Sequence, residues 1–325
     1  MKLATFFGDM TIRSKLAGGF ALLLLLTIVV GVVGNQALET YSQRSEIVSM
    51  LGQVNTGLTE ARVEEKNFLL SGDAADVQAS RAHGDDVLGI TQRIKPLLAI
   101  SSDISTLESI QADIRQYQSL MSDVETNTTQ RDEALNSLET KARILGSSLK
   151  AHSSLFFASA MFEDMRRAER KFLVERDSSS VKSYLEDAKR MQGPLKSASI
   201  SAEEKAQVAK ALESYSNEFQ SVVRLTESGE QLSQDMVATA NRVIESANNL
   251  REAQAEKMES DRKQATTLIF GATGVAVLLG ILMAYLITRA ITSPINHAVA
   301  IASEVASGNL SVRIDNNRTD EIGRL

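Results

Sequence analysis

The sequence predicts an all-α protein in which six helices form two stacked four-helix bundles that share two long helices, with a transmembrane helix on either side. Residues 201–263 contain no proline and place apolar side chains alternately four and three positions apart, the spacing that keeps one helix face buried. Two charge-free apolar runs, 16–34 and 265–287, are long enough to cross a bilayer. A motif that occurs twice between them completes the pattern.

Composition excludes several classes of function. The chain has 325 residues, a net charge of −6 and no cysteine, which rules out disulfides, thiolate metal sites and cysteine nucleophiles. No basic tract with interleaved aromatic residues indicates a nucleic-acid partner. The histidines, His83, His152 and His297, are isolated in the sequence, so we expect no metal site, no cofactor and no enzyme activity.

The two apolar runs define the expected membrane topology. Residues 1–15 are short and basic, which predicts a cytoplasmic N-terminus. The 16–34 run lacks a small-x-small cleavage site followed by a polar break, so we interpret it as a permanent anchor; a cleaved signal peptide is the alternative. The second run, 265–287, precedes Arg289 and returns the chain to the cytoplasm. Residues 35–264 are therefore expected outside it.

An internal repeat lies within this outer segment. Residues 62–73 and 166–177 share the pattern Arg-x-x-Glu-(Lys/Arg)-x-Phe-Leu-(Leu/Val)-x-x-Asp. Each copy is followed by a second helix that ends near a proline and by a third, long helix, on which Tyr117 matches Tyr215. A helical hairpin that leads into a long helix was thus used twice.

Each long helix has two apolar blocks separated by small or polar residues in the same register. In the first helix the blocks are Leu107, Ile110, Ile114, Tyr117, Met121 and Val124, then Leu135, Leu138, Ala142, Leu145 and Leu149, with Thr128 and Arg131 between them. In the second they are Val208, Leu212, Tyr215, Phe219 and Val222, then Met236, Ala240, Val243, Ala247 and Leu250, with Thr226, Gly229 and Ser233 between them. This division predicts two separate buried segments.

Helix lengths predict how the segments stack. The expected helices cover about 36–71, 75–95, 102–146, 153–176 and 179–192, followed by the long helix from 201. At about 1.5 Å per residue, alternating upward and downward helices bring the last one back to the membrane. The membrane-proximal bundle would then contain about 36–125 with 230–262, and the membrane-distal bundle about 126–229.

The residues after the second span resemble the start of a HAMP domain, at 288–325. Thr292-Ser293-Pro294-Ile295 precedes a short amphipathic helix that is expected to reach Ala306, and Gly308-Asn309-Leu310 and Asp320-Glu321-Ile322-Gly323 follow. A HAMP domain needs a second helix, which would begin about where the sequence stops. We therefore expect a fragment, truncated within its HAMP domain, whose output domain is absent.

Two spans, two predicted bundles and a HAMP start together resemble a bacterial methyl-accepting chemotaxis receptor with a helical bimodular ligand-binding domain. The resemblance implies a two-pass inner-membrane homodimer with a periplasmic sensor. It implies that the proximal bundle binds dicarboxylates or tricarboxylates of the tricarboxylic-acid cycle and that the distal bundle binds acetate. It also implies signalling through HAMP to a cytoplasmic coupling protein and a histidine kinase that control chemotaxis.

Arginines are the candidate ligand residues, because a guanidinium matches a carboxylate with two parallel donors. In this family the ligand arginines lie on the first, fourth and sixth helices of the sensor. By this resemblance, Arg62 on the first helix and Arg166 on the fourth are the leading candidates. Estimated heights add six further candidates: Arg115, Arg242 and Arg251 for the proximal bundle, and Arg167, Arg170 and Tyr215 for the distal one. The alternative is that Arg62 and Arg166 pair with Glu65 and Glu169 on a solvated helix face. Arg131 is expected to set helix register.

Two other functions remain open at this stage. The same sensor and HAMP could precede a histidine kinase or a diguanylate cyclase, and the residues that follow position 325 would decide between these outputs. The chain could also be a structural membrane rod that binds no ligand and whose arginines only pair with glutamates.

Overall fold

A computed structural model describes residues 11–308 and contains helices but no strands in that range. The helices are α1 (Ile12–Ser71), α2 (Ala74–Ile94), α3 (Ser101–Lys150), α4 (Phe156–Glu175), α5 (Ser178–Ser197) and α6 (Ala202–Ala306). Single 3₁₀ turns at Lys95–Leu97 and Ser153–Leu155 precede α3 and α4. The predicted all-helical class and the order of the helices are confirmed for these residues. The chain divides into one unit of residues 50–250 and another that combines residues 11–49 with 251–308.

In the 50–250 unit, the last residues of each repeat copy end one helix and begin the next. Gly72 and Arg176 occupy equivalent positions and both have left-handed backbone, with φ of 72° and 57°. Their N–H groups donate to the carbonyls of Phe68 and Phe172, which closes α1's last turn within this unit and the last turn of α4. The aspartates that follow cap the next helices: Asp73 accepts from Ala75 N and Asp177 from Ser179 N, both at 2.9 Å.

The apolar seam predicted for α3 and α6 is buried almost throughout the 50–250 unit. The exception is Leu135, which is half-buried while its neighbour Ala134 is buried in its place. The second block of α3 and the first block of α6 share one apolar cluster with α4 and α5. Elsewhere in this unit Ser80 on α2 donates to the carbonyl of Ala61 on α1 at 3.0 Å. The bimodular arrangement itself stays a prediction.

The small and polar residues between the seam blocks allow α3 and α6 to approach closely. A Cβ placed on Gly229 of α6 would lie 2.7 Å from Oδ1 of the buried Asn127 on α3. Arg176 Nη1 donates to the buried Thr226 Oγ1 at 3.2 Å. A polar layer therefore separates the two apolar blocks, as the sequence predicted.

Several helices extend further than expected, and α1 is one of them, because it joins the first apolar run to the helix expected from about 36. Helix α5 was predicted to end at 192, but it continues past Pro194 to Ser197, which keeps Leu195 buried in the core. Helix α6 was predicted to stop near the second span, with a new helix after Pro294, yet it continues through Pro294 to Ala306. Proline removes one backbone donor without preventing helix on both sides. The HAMP motif residues at 309–310 and 320–323 lie outside the described range.

The other unit contains both apolar runs. One lies in α1 and the other in α6, and both are long and apolar enough to cross a membrane by length and composition. Small residues bring them together in antiparallel register: a Cβ on Gly19 would lie 2.9 Å from Met283 Cε, and one on Gly280 would lie 3.6 Å from Leu23 Cδ2. Close approach through small residues is typical of membrane helices.

Candidate anion-binding site

The repeated motif builds a buried carboxyl–phenol pair twice. Glu65 and Glu169, the equivalent glutamates, are each only 3% exposed. Glu65 Oε2 accepts a hydrogen bond from Tyr117 OH at 2.8 Å, and Glu169 Oε2 accepts one from Tyr215 OH. Since Tyr117 and Tyr215 are also equivalent, each copy forms the same contact between its first helix and its long helix.

Burial dominates the acid–base behaviour of both pairs. It raises the pKa of Glu65 and of Glu169, although the tyrosine hydrogen bond and the neighbouring arginine oppose the change. Burial and the adjacent carboxylate also raise the pKa of both tyrosines, so they remain hydrogen-bond donors. The alternative in which these glutamates lie on a solvated face is therefore wrong, because both are buried and accept hydrogen bonds from the tyrosines.

The two copies differ in how they use their arginine. Arg166 is only 16% exposed and donates to Glu169 Oε1 and to Glu139 Oε2, both at 2.7 Å. Burial lowers the pKa of Arg166, but the two carboxylates and Tyr215 more than offset this, and the net shift is upward. The i, i+3 pairing is thus present in this copy, with a second carboxylate partner, Glu139, from α3.

Arg62, the equivalent residue in the first copy, is half-buried and makes no hydrogen bond or ion pair with any residue in the described part of the chain. Its charge nevertheless acts on Glu65 and on Tyr117, where it lowers the pKa of both groups against the effect of burial. A half-buried guanidinium with unused donors beside a polar centre is chemically suited to bind a carboxylate.

Of the remaining candidate residues, Tyr215 lies with Arg166 around Glu169, and the described contacts place the others apart from these two residues. Arg115 and Arg170 are exposed, and Arg167 is exposed and pairs with Asp164. Tyr215 is fully buried, where it donates to Glu169 and packs against aromatic rings.

On α6, Arg242 is largely exposed and is held by α3. It donates to Asp113 Oδ1 at 2.9 Å and to Gln116 Oε1 at 3.1 Å. Arg251 is half-buried and belongs to the unit that contains the apolar runs. Arg131 is half-buried between the seam blocks and lies 3.4 Å from Asp132. Among residues 11–308, no group of three or more potential metal ligands is present.

Replacing Glu65 with glutamine is expected to change how stability depends on pH. A raised folded-state pKa contributes stability below the ordinary value of 4.5, and this contribution is lost as pH rises through the folded-state pKa. Glu65→Gln, which can still accept from Tyr117, should therefore gain thermal stability relative to the wild type as pH increases from about 4.5 towards neutrality. Circular dichroism melts across this range measure the difference.

Glu64→Gln is the matched control, because Glu64 precedes Glu65 on α1 and bonds only to Asn67 among the described residues. The difference in melting temperature between Glu65→Gln and the wild type should change with pH. If it stays constant, burial does not raise the pKa of the Glu65 carboxyl.

The described residues contain helices and no strands, and two of the helices are long and apolar enough to cross a membrane by length and composition. A model of the HAMP domain matches residues 286–325, so the predicted HAMP domain is confirmed. Over 345 residues the chain is 23% identical to methyl-accepting chemotaxis protein McpQ of Pseudomonas putida, and over 349 residues it is 24% identical to McpS of the same organism. These alignments cover 99% of this chain but 53% and 54% of the relatives, so the chain spans about half their length. The chain is therefore similar to methyl-accepting chemotaxis proteins over nearly its whole length.

Proposed function

We propose that the chain is the sensory and transmembrane part of a chemotaxis receptor that binds small organic anions. Residues 35–264 form the periplasmic sensor in this proposal, 16–34 and 265–287 cross the inner membrane, and 288–325 begin HAMP. Dicarboxylates or tricarboxylates bind in a membrane-proximal bundle of about 36–125 with 230–262. An acetate-like anion binds in a distal bundle of about 126–229.

The observation that supports a transducer most directly is the continuity of α6. This single helix, Ala202–Ala306, includes the packed segment, the second apolar run and the first residues of the HAMP match. A ligand that binds one packing of the helices better than another shifts the populations of the two by that difference in affinity. The shift of α6 is the signal that HAMP receives.

Arg62 is the observation that supports an anionic ligand. Its guanidinium is half-buried and lacks partners among residues 11–308, whereas its counterpart Arg166 has two. The adjacent Glu65 accepts from Tyr117 and forms no hydrogen bond or ion pair with Arg62. A ligand carboxylate would supply the charge and the two acceptors that the guanidinium lacks.

The pairing of Arg166 favours a second candidate function for that copy of the repeat. In it, the arginine only holds helices together and binds no ligand. This is the structural role expected of a membrane rod without a ligand. It assigns Arg166 to packing, while Arg62 remains available. Acetate binding at Arg166 is therefore a separate question from dicarboxylate binding at Arg62, and stabilisation by acetate that Arg166→Gln abolishes would support it.

The whole receptor would act as a homodimer and would control a cytoplasmic histidine kinase through a coupling protein. This part of the proposal rests on the chemotaxis proteins to which the chain is similar. The alternative outputs, a kinase or cyclase fused to HAMP, differ from it in the residues that follow position 325.

The test is thermal unfolding of the 325-residue chain in lipid nanodiscs with malate, succinate, citrate and acetate. A ligand at about one hundred times its dissociation constant should add about 2.7 kcal/mol to the unfolding free energy. Arg62→Gln should abolish the stabilisation by dicarboxylates or tricarboxylates. Arg93→Gln, which removes an exposed α2 arginine, is the matched control and should retain it. If no acid stabilises the wild type, the organic-acid proposal is wrong.

A further inference from the structure

A second candidate site lies in a groove of about 740 Å³ between α5 and α6. Its apolar floor includes Leu195 and Leu212, both of which are buried in the core. Alanines line its walls at 188, 206 and 209, and the last two are exposed. Short side chains at these facing positions leave open a space that larger residues would fill.

The groove is basic at the end where α5 turns into α6. Lys205 Nζ donates to the backbone carbonyl of Lys196 at 2.7 Å, which brings the two lysines together. Lys196 and Lys189 make no side-chain hydrogen bond or ion pair within residues 11–308. Glu213 also lines the groove, so its charged residues comprise three lysines and one glutamate. The excess of positive charge favours an anionic group at this end.

The opposite end of the groove is less charged. Leu185 on α5 and Ser216 on α6 lie there. The Ser216 hydroxyl is buried near that of Tyr184, and neither forms a hydrogen bond of normal geometry with the described residues. From position 185 to 196 the helix rises about 16 Å. The groove is thus elongated, with lysines at one end and apolar side chains along its length.

We propose that this groove binds an amphipathic monocarboxylate, with the carboxylate at Lys196 and Lys205 and an extended apolar chain along the three alanines and Leu212. A mostly apolar concave surface with a few polar groups at one end is typical of small-molecule sites. None of the residues of the Arg62 site lines the groove. The proposal therefore does not depend on organic-acid binding at Arg62.

Octanoate is the probe, and calorimetry on the 325-residue chain in nanodiscs measures its binding, with empty nanodiscs as the blank. Octanamide, which has the same chain without the charge, should bind at least about tenfold more weakly, as expected for the loss of one charge-assisted interaction. Lys196→Gln should weaken octanoate binding by a similar factor. Lys210→Gln, which removes an exposed α6 lysine outside the groove, is the matched control and should leave binding unchanged.

Ala209→Leu fills the groove at an exposed helical position and should abolish binding while the circular dichroism spectrum stays the same. Arg62→Gln should bind octanoate as the wild type does, which distinguishes this site from the dicarboxylate site. The proposal is overturned if the wild type does not bind octanoate, if octanamide binds equally well, or if Ala209→Leu retains full affinity.

Discussion

Replacing Phe219 with alanine is expected to lower the free energy of unfolding by about 3–5 kcal/mol, the range for an aromatic residue removed from a packed core. Phe219 is fully buried, and its ring stacks on that of Tyr184 with a centroid separation of 4.0 Å. Its edge contact with Phe172 has a centroid separation of 5.8 Å. The substitution removes both contacts and leaves a cavity among α4, α5 and α6. Urea unfolding followed by far-ultraviolet circular dichroism measures the loss.

Phe156→Ala is the matched control for Phe219→Ala. Phe156 begins α4 but is 70% exposed, so its removal should change stability by less than about 0.5 kcal/mol. Equal losses in the two variants would contradict the packing described for α5 and α6.

Arg166→Met is expected to cost about 3 kcal/mol, the lower end of the range for breaking a buried ion pair. Methionine keeps most of the apolar stem, but among residues 11–308 it leaves the buried Glu169 with Tyr215 alone as a hydrogen-bond partner. The lower end applies because Arg166 retains some exposure and Glu139, its other partner, is 70% exposed. The same urea titration measures this effect.

A double-mutant cycle separates the ion pair from the packing of the arginine stem. In a Glu169→Gln background, Arg166→Met should cost much less, because no buried carboxylate is left uncompensated. If the cost is the same with and without the Glu169 carboxylate, then Arg166 stabilises the protein through its stem or through Glu139 alone.

The helices and the buried seam could be predicted because both follow from local sequence. Apolar spacing identified the buried face of α3 and α6 over their full packed length, apart from the exchange of Leu135 for Ala134. The repeat also contains the residues that separate its helices, since the aspartate that ends each copy caps the next helix. The end of α5 could not be read in this way, because burial of Leu195 overrides the local preference of Gly193-Pro194 to end a helix.

The difference between Arg62 and Arg166 could not be predicted from the repeat, in which the two residues are identical. One part of it is Glu139, which lies on α3 outside both copies of the motif. The other is that Arg166 pairs with Glu169 whereas Arg62 does not pair with the equivalent Glu65. The burial of Glu65 and Glu169 was missed for a related reason. Their phenolic partners lie 52 and 46 residues away, and a charge at i+3 from an arginine resembles a surface ion pair when only one helix is considered.

Glu139 has a consequence for any free acid that approaches Arg166. Its carboxylate belongs to the protein itself and lies 2.7 Å from the guanidinium. It therefore competes with any free acid for Arg166. The fold holds Glu139 beside Arg166, so its local concentration there does not change with the concentration of free acid. A free monocarboxylate must exceed this local concentration, or form contacts that Glu139 does not, before it displaces the side chain. In the proposed sensor, the second copy of the repeat would therefore need a higher ligand concentration than the first, in which no tethered carboxylate contacts Arg62 among residues 11–308.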